Sequence, residues 1–400
     1  MRILILSDSF SAPAYKPRLR ALCTYLCQQG HMVEVICEKA DALNFEHDYP
    51  IHEIPFYNGH FLDWALKNFA SLWFNWKDSS FYDKVEKIIG GGQYDLVFCS
   101  SFYTFPLQTT NRIARKLQIP SVIDLRDMIE QAPTNQTLYL RHHSAILNPF
   151  AHIYRHINIH RRNKELQRAN IITTVSPWHV DLVKSISSRP CFLIYNGYDD
   201  TIFHPKDVIT KQFKIIYTGK VFPQPQQDPT LLFEALKRLR LSPKQICVEW
   251  YTDEKSERLI KQMAHEAGVE QWLHYNGVVS QDKIPELLHK ASICLVLTSK
   301  ANDNNGHGKM TTKFFEALGV EKPVLCVESD EECLAHIIQD TNAGISALNV
   351  DQVCSFILDK YADWQANGFT RQNVDMQKKK LFSRREQAKQ WEKIFKDITG

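Results

Sequence analysis

The sequence predicts an α/β protein of two doubly wound, parallel-sheet lobes, and three observations predict it. Short apolar runs rich in β-branched residues alternate with stretches of helical period, the pattern of strands joined by crossover helices. The alternation stops at a polar turn segment and then begins again. The chain is also 400 residues long, beyond the roughly 250–300 residues that one hydrophobic core usually serves.

In the first lobe the apolar runs place strands at 3–6, 32–37, 96–99, 121–124, 171–175 and 192–195, with a helix at 19–29 after the first of them. Gly90, Gly91 and Gly92 lie between a helical stretch and the strand at 96–99, a position that suits a helix-terminating turn and not a phosphate cradle. The segment 196–205 is rich in Asn, Gly, Asp and Pro and reads as the connection between compact units. Lobes are therefore expected at 1–200 and 201–380. In the second, strands are expected at 214–218, 246–251, 273–275, 293–297 and 324–327, with helices starting near 229, 254, 283, 311 and 331. A polar helix follows at 383–397, with Trp391, Ile394 and Phe395 at helical spacing. Residues 381–400 are expected to dock back on the first lobe through that apolar stripe.

Lysine plus arginine total 48 against 45 aspartate plus glutamate, a near balance that excludes a dedicated nucleic-acid binder. The ten cysteines include no Cys-x-x-Cys pair, and several (Cys37, Cys99, Cys247, Cys294, Cys326) fall inside strand-like runs, so they read as reduced core residues. Cys23 and Cys27 are four apart on an expected helix, but no histidine or second pair completes a metal site. The first eight residues are broken by Arg2 and Asp8 and do not form a signal peptide. No stretch approaches the ~18–20 apolar residues of a membrane span, so a cytoplasmic protein is expected, at most peripheral on the inner face of a membrane.

The segment with most chemistry runs Asn302-Asp303-Asn304-Asn305-Gly306-His307-Gly308-Lys309-Met310-Thr311-Thr312-Lys313-Phe314-Phe315-Glu316-Ala317-Leu318-Gly319, between two expected strands. Glycines let backbone approach a ligand closely, and the following helix N-terminus offers free N–H groups and partial positive charge, a pairing that favours a diphosphate. Lys313 and Glu316 are three apart and share a helix face. An exposed intrahelical ion pair is the plain reading of such a pair. At the C-terminal end of a doubly wound sheet, however, a lysine can neutralise phosphate and a carboxylate can hold vicinal ribose hydroxyls.

On these residues the chain resembles the retaining glycosyltransferases of family 4. Lys313, Glu316, Gly319 and Pro323-Val324 match that family's Lys-x-x-Glu, glycine and Pro-Val strand. Asn196-Gly197-Tyr198-Asp199-Asp200 through Phe203 and Pro205 is similar to its interdomain segment, and Tyr217-Thr218-Gly219-Lys220 to its strand ending in Gly-Arg or Gly-Lys. Thr174-Val175-Ser176 and Gly30-His31 with Val33 are weaker matches, so the resemblance is spread over nearly the whole chain. It implies a GT-B fold, two Rossmann-like domains facing across a cleft, with the acceptor bound by the first and the nucleotide-sugar donor by the second. It further implies that Lys220 contacts the donor diphosphate, Lys313 supports it, Glu316 binds ribose, and Val279 in the turn Gly277-Val278-Val279 meets the base. Gly219, Gly306, His307, Gly308, Lys309 and Thr311 complete the expected donor set.

The departures from the family are specific. Many members carry two glutamates with seven residues between them, and Gly308 stands where the first would be; the backbone amides from Gly306 to Lys309 are read as its substitute. The loop Phe222-Pro223-Gln224-Pro225-Gln226-Gln227-Asp228-Pro229 lacks the second basic residue and leaves Lys220 alone. The segment 7–18 lacks the usual glycine pair, with Lys16 or Arg18 either compensating or simply solvated. Asp124-Leu125-Arg126-Asp127 is no departure: it is similar to an Asp-x-Arg-Asp of such proteins, and while Asp124 reads as a turn cap, the resemblance implies that Arg126 or Asp127 is a catalytic-site group on the acceptor or sugar side.

The resemblance implies retention of configuration, with fixed positive charge stabilising the departing diphosphate and neither a cofactor nor a metal required. Expected partners are a nucleotide-sugar donor and a glycan or lipid-linked acceptor, in a surface-polysaccharide setting. The aromatic stretch 61–77 has two readings: core packing, or a membrane-surface helix or lipid-linked acceptor groove assisted by Arg155, His156, His160, Arg161, Arg162, Lys164 and Arg168. Two other functions stay open, a binding scaffold without turnover and a nucleotide-sugar epimerase. A NAD-binding first turn is excluded, because 7–14 contains no Gly-x-Gly-x-x-Gly.

Overall fold

The computed structural model describes residues 1–8, 10, 16–39, 45–57, 61–131, 148–224, 226–299, 306–328 and 332–400. They form two compact units, Met1–Tyr195 with Arg384–Gly400, and Asn196–Ser383.

The first unit runs β1 (Arg2–Ser7), α1 (Lys16–Gln28), β2 (Met32–Glu38), β3 (Ile51–Ile54), α2 (Phe61–Phe74), α3 (Trp76–Ile89), β4 (Leu96–Ser101), α4 (Leu107–Leu117), β5 (Ser121–Leu125), α5 (Asn148–Leu166), β6 (Ile171–Thr174), α6 (Pro177–Ile186) and β7 (Cys191–Leu193). Its seven strands are parallel in the order β3-β2-β1-β4-β5-β6-β7. β1 and β4 are buried on both faces over almost their whole length, which is why they read as continuous apolar runs and not as alternating ones. β3 was not expected from the sequence. Its Ile-His-Glu-Ile is half-buried at the sheet edge and lacks the apolar density of the interior strands.

Local chemistry sets the helix ends. Gly90 terminates α3 at φ 51°, its N–H bonding the Glu86 carbonyl, as the glycine triplet predicts. Ser176 caps α6 by accepting from the His179 N–H, with Pro177 at the first helical position. The last helix, α14 (Arg384–Thr399), belongs to this unit. It seats Trp391 and Phe395 on Phe98, at centroid distances of 6.0 and 5.4 Å. Burying two such side chains contributes roughly 3–6 kcal/mol, more than helix propensity alone supplies. Glu392 on the same helix accepts from Tyr25 and His31 and pairs with Lys396. Burial opposes its charge, but these partners prevail and hold the carboxyl down at about 2.

The second unit runs β8 (Phe213–Thr218), α7 (Thr230–Arg238), β9 (Ile246–Tyr251), α8 (Glu254–Ala267), β10 (Leu273–Tyr275), α9 (Ile284–His289), β11 (Ile293–Leu297), α10 (Thr312–Gly319), β12 (Val324–Val327), α11 (Cys333–Asp340), β13 (Gly344–Ala347), α12 (Val350–Asn367) and α13 (Met376–Lys380). Its six strands are parallel in the order β10-β9-β8-β11-β12-β13. Here β13 was not expected, again a half-buried edge strand. Trp250, Tyr217, Phe213 and Phe233 fill the core. None of the ten cysteines is in a disulfide, and no metal-binding cluster of His, Cys, Asp and Glu is found among the described residues.

Candidate active site

In a doubly wound sheet the crevice lies outside the strand C-termini where the winding reverses. In the second unit that point falls between β8 and β11. Gly219 and Lys220 leave the end of β8, and Gly306 to Thr311 lie between β11 and α10. Gly219 sits at φ 109° and donates its N–H to the Tyr251 carbonyl at 2.8 Å. A Cβ on it would come within 2.8 Å of Lys313 Cε and 3.2 Å of Nζ. The Lys313 chain therefore lies directly against the glycine. This contact joins the strand β8 turn to the helix α10 N-terminus.

The Lys313 ammonium lies 5.3 Å from the centre of the Tyr217 ring, within cation–π range. Tyr217 is fully buried and donates its hydroxyl to the Lys220 carbonyl at 2.7 Å, fixing the turn that carries Lys220. Burial lowers the Lys313 pKa, and the Glu316 carboxylate opposes that shift. Lys220 is exposed. Its charge, behind the Ser256 N–H, helps hold the Asp253 carboxyl below its ordinary range, where Asp253 caps α8.

The glycine loop is built for close approach. Gly306 and Gly308 have φ of 101° and 63°, conformations that glycine adopts without penalty. Lys309 Nζ donates to the buried Ser299 hydroxyl at 2.7 Å. His307 Nδ1 stands 4.0 Å from a Glu332 carboxylate oxygen. Thr311 caps α10, its hydroxyl accepting from the Lys313 N–H at 3.4 Å. Glu316 is half-buried one turn on, and Val279 is half-buried beside Gly277 at φ 68°. Asn302 to Asn305, part of the expected loop, lie outside the described residues. Sequence reasoning missed Tyr217, Ser299 and Asp253 as supports; the strand-to-loop positions of Tyr217 and Ser299 were the available signal.

At the other end of α10, Gly319 leaves no room for a side chain: a Cβ would meet Tyr198 and Phe203 at 2.8 Å. The turn segment that begins the unit thus packs on the helix that starts with Lys313. Tyr198 also donates its N–H to the Phe382 carbonyl.

In the first unit the winding reverses between β1 and β4, and its chemistry is different. Asp8, next after β1, accepts from the Phe102 N–H at 3.0 Å and from Arg126 Nη2 at 2.6 Å. Arg126 is only 4% exposed and its N–H bonds the Ser101 carbonyl. Asp127 beside it is half-buried. Asp124 is not a turn cap: it is 1% exposed and accepts from Arg18, from Ser100 at 3.1 Å and from Thr173 at 2.8 Å. Nor is Arg18 solvated or available to a phosphate. It is buried against Asp124 and the Ile194 and Tyr195 carbonyls, with its guanidinium 4.4 Å from the Trp391 ring centre. The Lys16 side chain lies outside the described residues.

A cavity of about 880 Å³ opens beside Asp8, walled by α2, α3 and α5. Phe102, Tyr103 and Tyr154 bring aromatic surface to it, and Asn75, Gln108 and Asn158 bring amides. Lys77 in its wall pairs with Glu38 at 2.6 Å and sits 4.5 Å from the Phe105 ring centre. Asp78 accepts from both the N–H and the hydroxyl of Thr109, yet burial outweighs these bonds and pushes its carboxyl up to about 6. The core reading of 61–77 does not hold for Leu66, Phe69, Trp73 and Phe74 of α2, which are 69, 61, 50 and 76% exposed, while the side chains of Phe61, Leu62, Trp64 and Ala65 lie outside those described.

Residues 18–201 match the profile of Glycosyltransferase Family 4. A search of curated protein sequences finds no match. Among solved structures the chain is similar to sucrose-phosphate synthase of Thermosynechococcus elongatus (13% identity, TM-score 0.68, covering 100% of this chain and 99% of that one). It is similar to Anabaena HepE solved with UDP-glucose (15%, 0.67, all of both chains) and to a Rickettsia africae glycosyltransferase (12%, 0.66, 99% and 98%). Over its full length the chain has the two-domain GT-B fold of these proteins.

Proposed function

We propose that this protein is a retaining, metal-independent glycosyltransferase that moves a sugar from a nucleotide-sugar donor to a glycan or lipid-linked acceptor. The observation that carries the reading is the contact of Lys313 with Gly219 at the reversal point of the second sheet, because it converges a lysine, a helix N-terminus and a glycine-rich loop on one crevice. That combination suits a diphosphate. The family match over 18–201 and the GT-B fold agree with it.

In this reading Glu316 accepts from the ribose hydroxyls, Val279 borders the base, and the Gly306-to-Lys309 segment with His307 and Thr311 holds the sugar and its phosphates. Cleavage of the bond from the anomeric carbon to the phosphate oxygen leaves a diphosphate anion and an oxocarbenium-like sugar. Lys220, Lys313 and the α10 N-terminus stabilise the anion as its charge develops. The acceptor oxygen then bonds the anomeric carbon on the same face, and its proton passes to the departing phosphate oxygen. Asp127, and Asp8 held by Arg126, serve the acceptor side. The setting is cytoplasmic and peripheral to a membrane; no described helix is long and apolar enough to cross one.

The test is calorimetric titration of a panel of nucleotide sugars, followed by turnover with any that bind. Glu316→Gln should abolish binding or turnover, and near-normal activity in the variant would remove the ribose role. Tight binding without turnover over a full acceptor panel would favour the scaffold reading, to which Gly308 in place of a glutamate points.

A further inference from the structure

We propose that the second unit carries a phosphate site at the pole opposite its crevice, formed by His204, Lys206, His289, Lys322 and Arg371, which takes inorganic phosphate or the phosphate group of a sugar phosphate. The site stands whether or not the chain transfers sugar. Strand direction fixes its place. The crevice opens at the C-terminal ends of the parallel strands, whereas Ser292 and Lys322 stand just before the N-terminal ends of β11 and β12. Thr370 ties these two together: its hydroxyl donates to the Ser292 carbonyl at 2.6 Å, and its own carbonyl accepts from Lys322 Nζ at 2.9 Å. Arg371 is the next residue. His289, at the end of α9, donates its Nε2–H to the His204 carbonyl at 2.7 Å, and the two imidazole rings lie 5.8 Å apart.

The charges of this cluster do not balance. Lys322 is 2% exposed, and the Thr370 carbonyl is the one acceptor described for an ammonium with three donors. The carboxylates nearby are engaged with other cations: Asp207 pairs with Arg371 at 3.0 Å, Glu286 with Lys290 at 2.7 Å and Glu321 with Lys379 at 2.7 Å. Nor does the Cys294 thiol supply charge, since burial pushes it up to about 12. A buried ammonium without a counter-charge is costly. Burial accordingly brings Lys322 down to about 8; Cys294 and Asp207 act the other way, and Arg371 adds to the lowering. His289, 7% exposed, is held below its ordinary range by burial and then by His204, Lys322 and Lys206, against the effect of the His204 carbonyl.

Lys206, Lys290, Lys322 and Arg371 thus stand against Asp207 and Glu286, an excess of two positive charges with both histidines neutral. That excess equals the charge of a phosphate dianion. An anion seated here removes the mutual repulsion of the cations and supplies the acceptors that Lys322 lacks. Phosphate suits the task because it offers several oxygens at once to ammonium, imidazole and guanidinium donors. His204, Lys206 and Arg371 are exposed, so the cluster opens to solvent. Exposed cations alone are an ordinary solvated surface; the buried Lys322 and His289 behind them are not.

The test is NMR of the full chain with labelled histidine, titrated with inorganic phosphate, glucose 1-phosphate and, as a monoanion control, acetate at equal ionic strength. Phosphate should shift the ring signals of His204 and His289 saturably and raise the pKa of His289. The tighter of inorganic phosphate and glucose 1-phosphate identifies the source of the group. Lys206→Glu, at an exposed position, should weaken binding by about tenfold or more. Lys322→Met removes a buried charge while keeping an apolar stem, and should abolish the shifts with denaturant unfolding still cooperative. Lys313→Ala, in the crevice, should leave them unchanged. Equal shifts with acetate would show unspecific screening and overturn the proposal. So would phosphate binding that survives both Lys206→Glu and Lys322→Met, or binding lost in Lys313→Ala with the signals of His204 and His289 unmoved, which would place the phosphate in the crevice.

Discussion

The two sheets wind alike, yet the crevices at their reversal points are finished with opposite chemistry. In the first unit the charges at the strand ends are paired within the protein: Asp8, 18% exposed, with Arg126, and Asp124 with Arg18, the last pair nearly out of solvent. In the second, the same topological position holds Lys220 in solvent and Lys313 laid along a glycine, with positive-φ glycines around them. A reversal point offers a crevice, but the residues there decide whether it is closed by internal ion pairs or left charged for a ligand. The first unit instead puts its space to one side, in the cavity beside Asp8.

The comparison can be broken most forcefully at Arg126. Arg126→Ala removes one member of a largely buried pair and should cost about 3–5 kcal/mol of stability in denaturant unfolding, with nucleotide-sugar affinity unchanged. A loss below about 1 kcal/mol would show that the pair is not what closes the first crevice. On the other side, Lys220→Ala should leave unfolding unaltered and reduce kcat by about 100-fold, with little effect on affinity for the free nucleoside; an unchanged rate would remove the leaving-group argument.

Asp78 tests whether burial governs the charge of a carboxylate in the first unit's cavity wall. Its folded carboxyl titrates at about 6 against an ordinary 3.8. The folded state therefore binds more protons than the unfolded one between those values, and the favourable contribution of protonated Asp78 is lost as pH rises through 6. Asp78→Asn keeps an oxygen to accept from Thr109. It should match the wild type near pH 3 and exceed it by about 2–3 kcal/mol above pH 6. A pH-independent difference would refute the shift. The smallest effect is expected at Gly219→Ala, about 1–2 kcal/mol for an L-residue forced to positive φ, with turnover falling as the new Cβ displaces Lys313. Normal turnover in that variant would show that the lysine's position against the strand turn is immaterial.

Much of the fold was legible because its signals are local. Continuous apolar runs such as Ile293–Leu297 mark doubly covered parallel strands, and Gly90 and Thr311 mark helix ends through their own turn chemistry. The edge strands β3 and β13 were not legible, because one exposed side leaves them without that density. In the crevice of the second unit Lys313, Glu316 and the glycine loop could be singled out because they stand within one short segment. Tyr217 was quoted but given no role, since its service to Lys220 and Lys313 depends on strand and helix meeting.

The sequence by itself determined the two-lobed winding and the segment that carries Lys313 and Glu316, because periodicity, caps and glycines act between near neighbours in the chain. Only the tertiary structure decided that Arg18 and Asp124, 106 residues apart, are a buried pair and not free functional groups. It likewise engaged Arg126 with Asp8 across 118 residues and turned Leu66, Phe69, Trp73 and Phe74 of α2 toward solvent. The physical reason is common to all three. Whether a charge is neutralised or an apolar face is covered depends on which distant segment arrives beside it, and no local pattern carries that information.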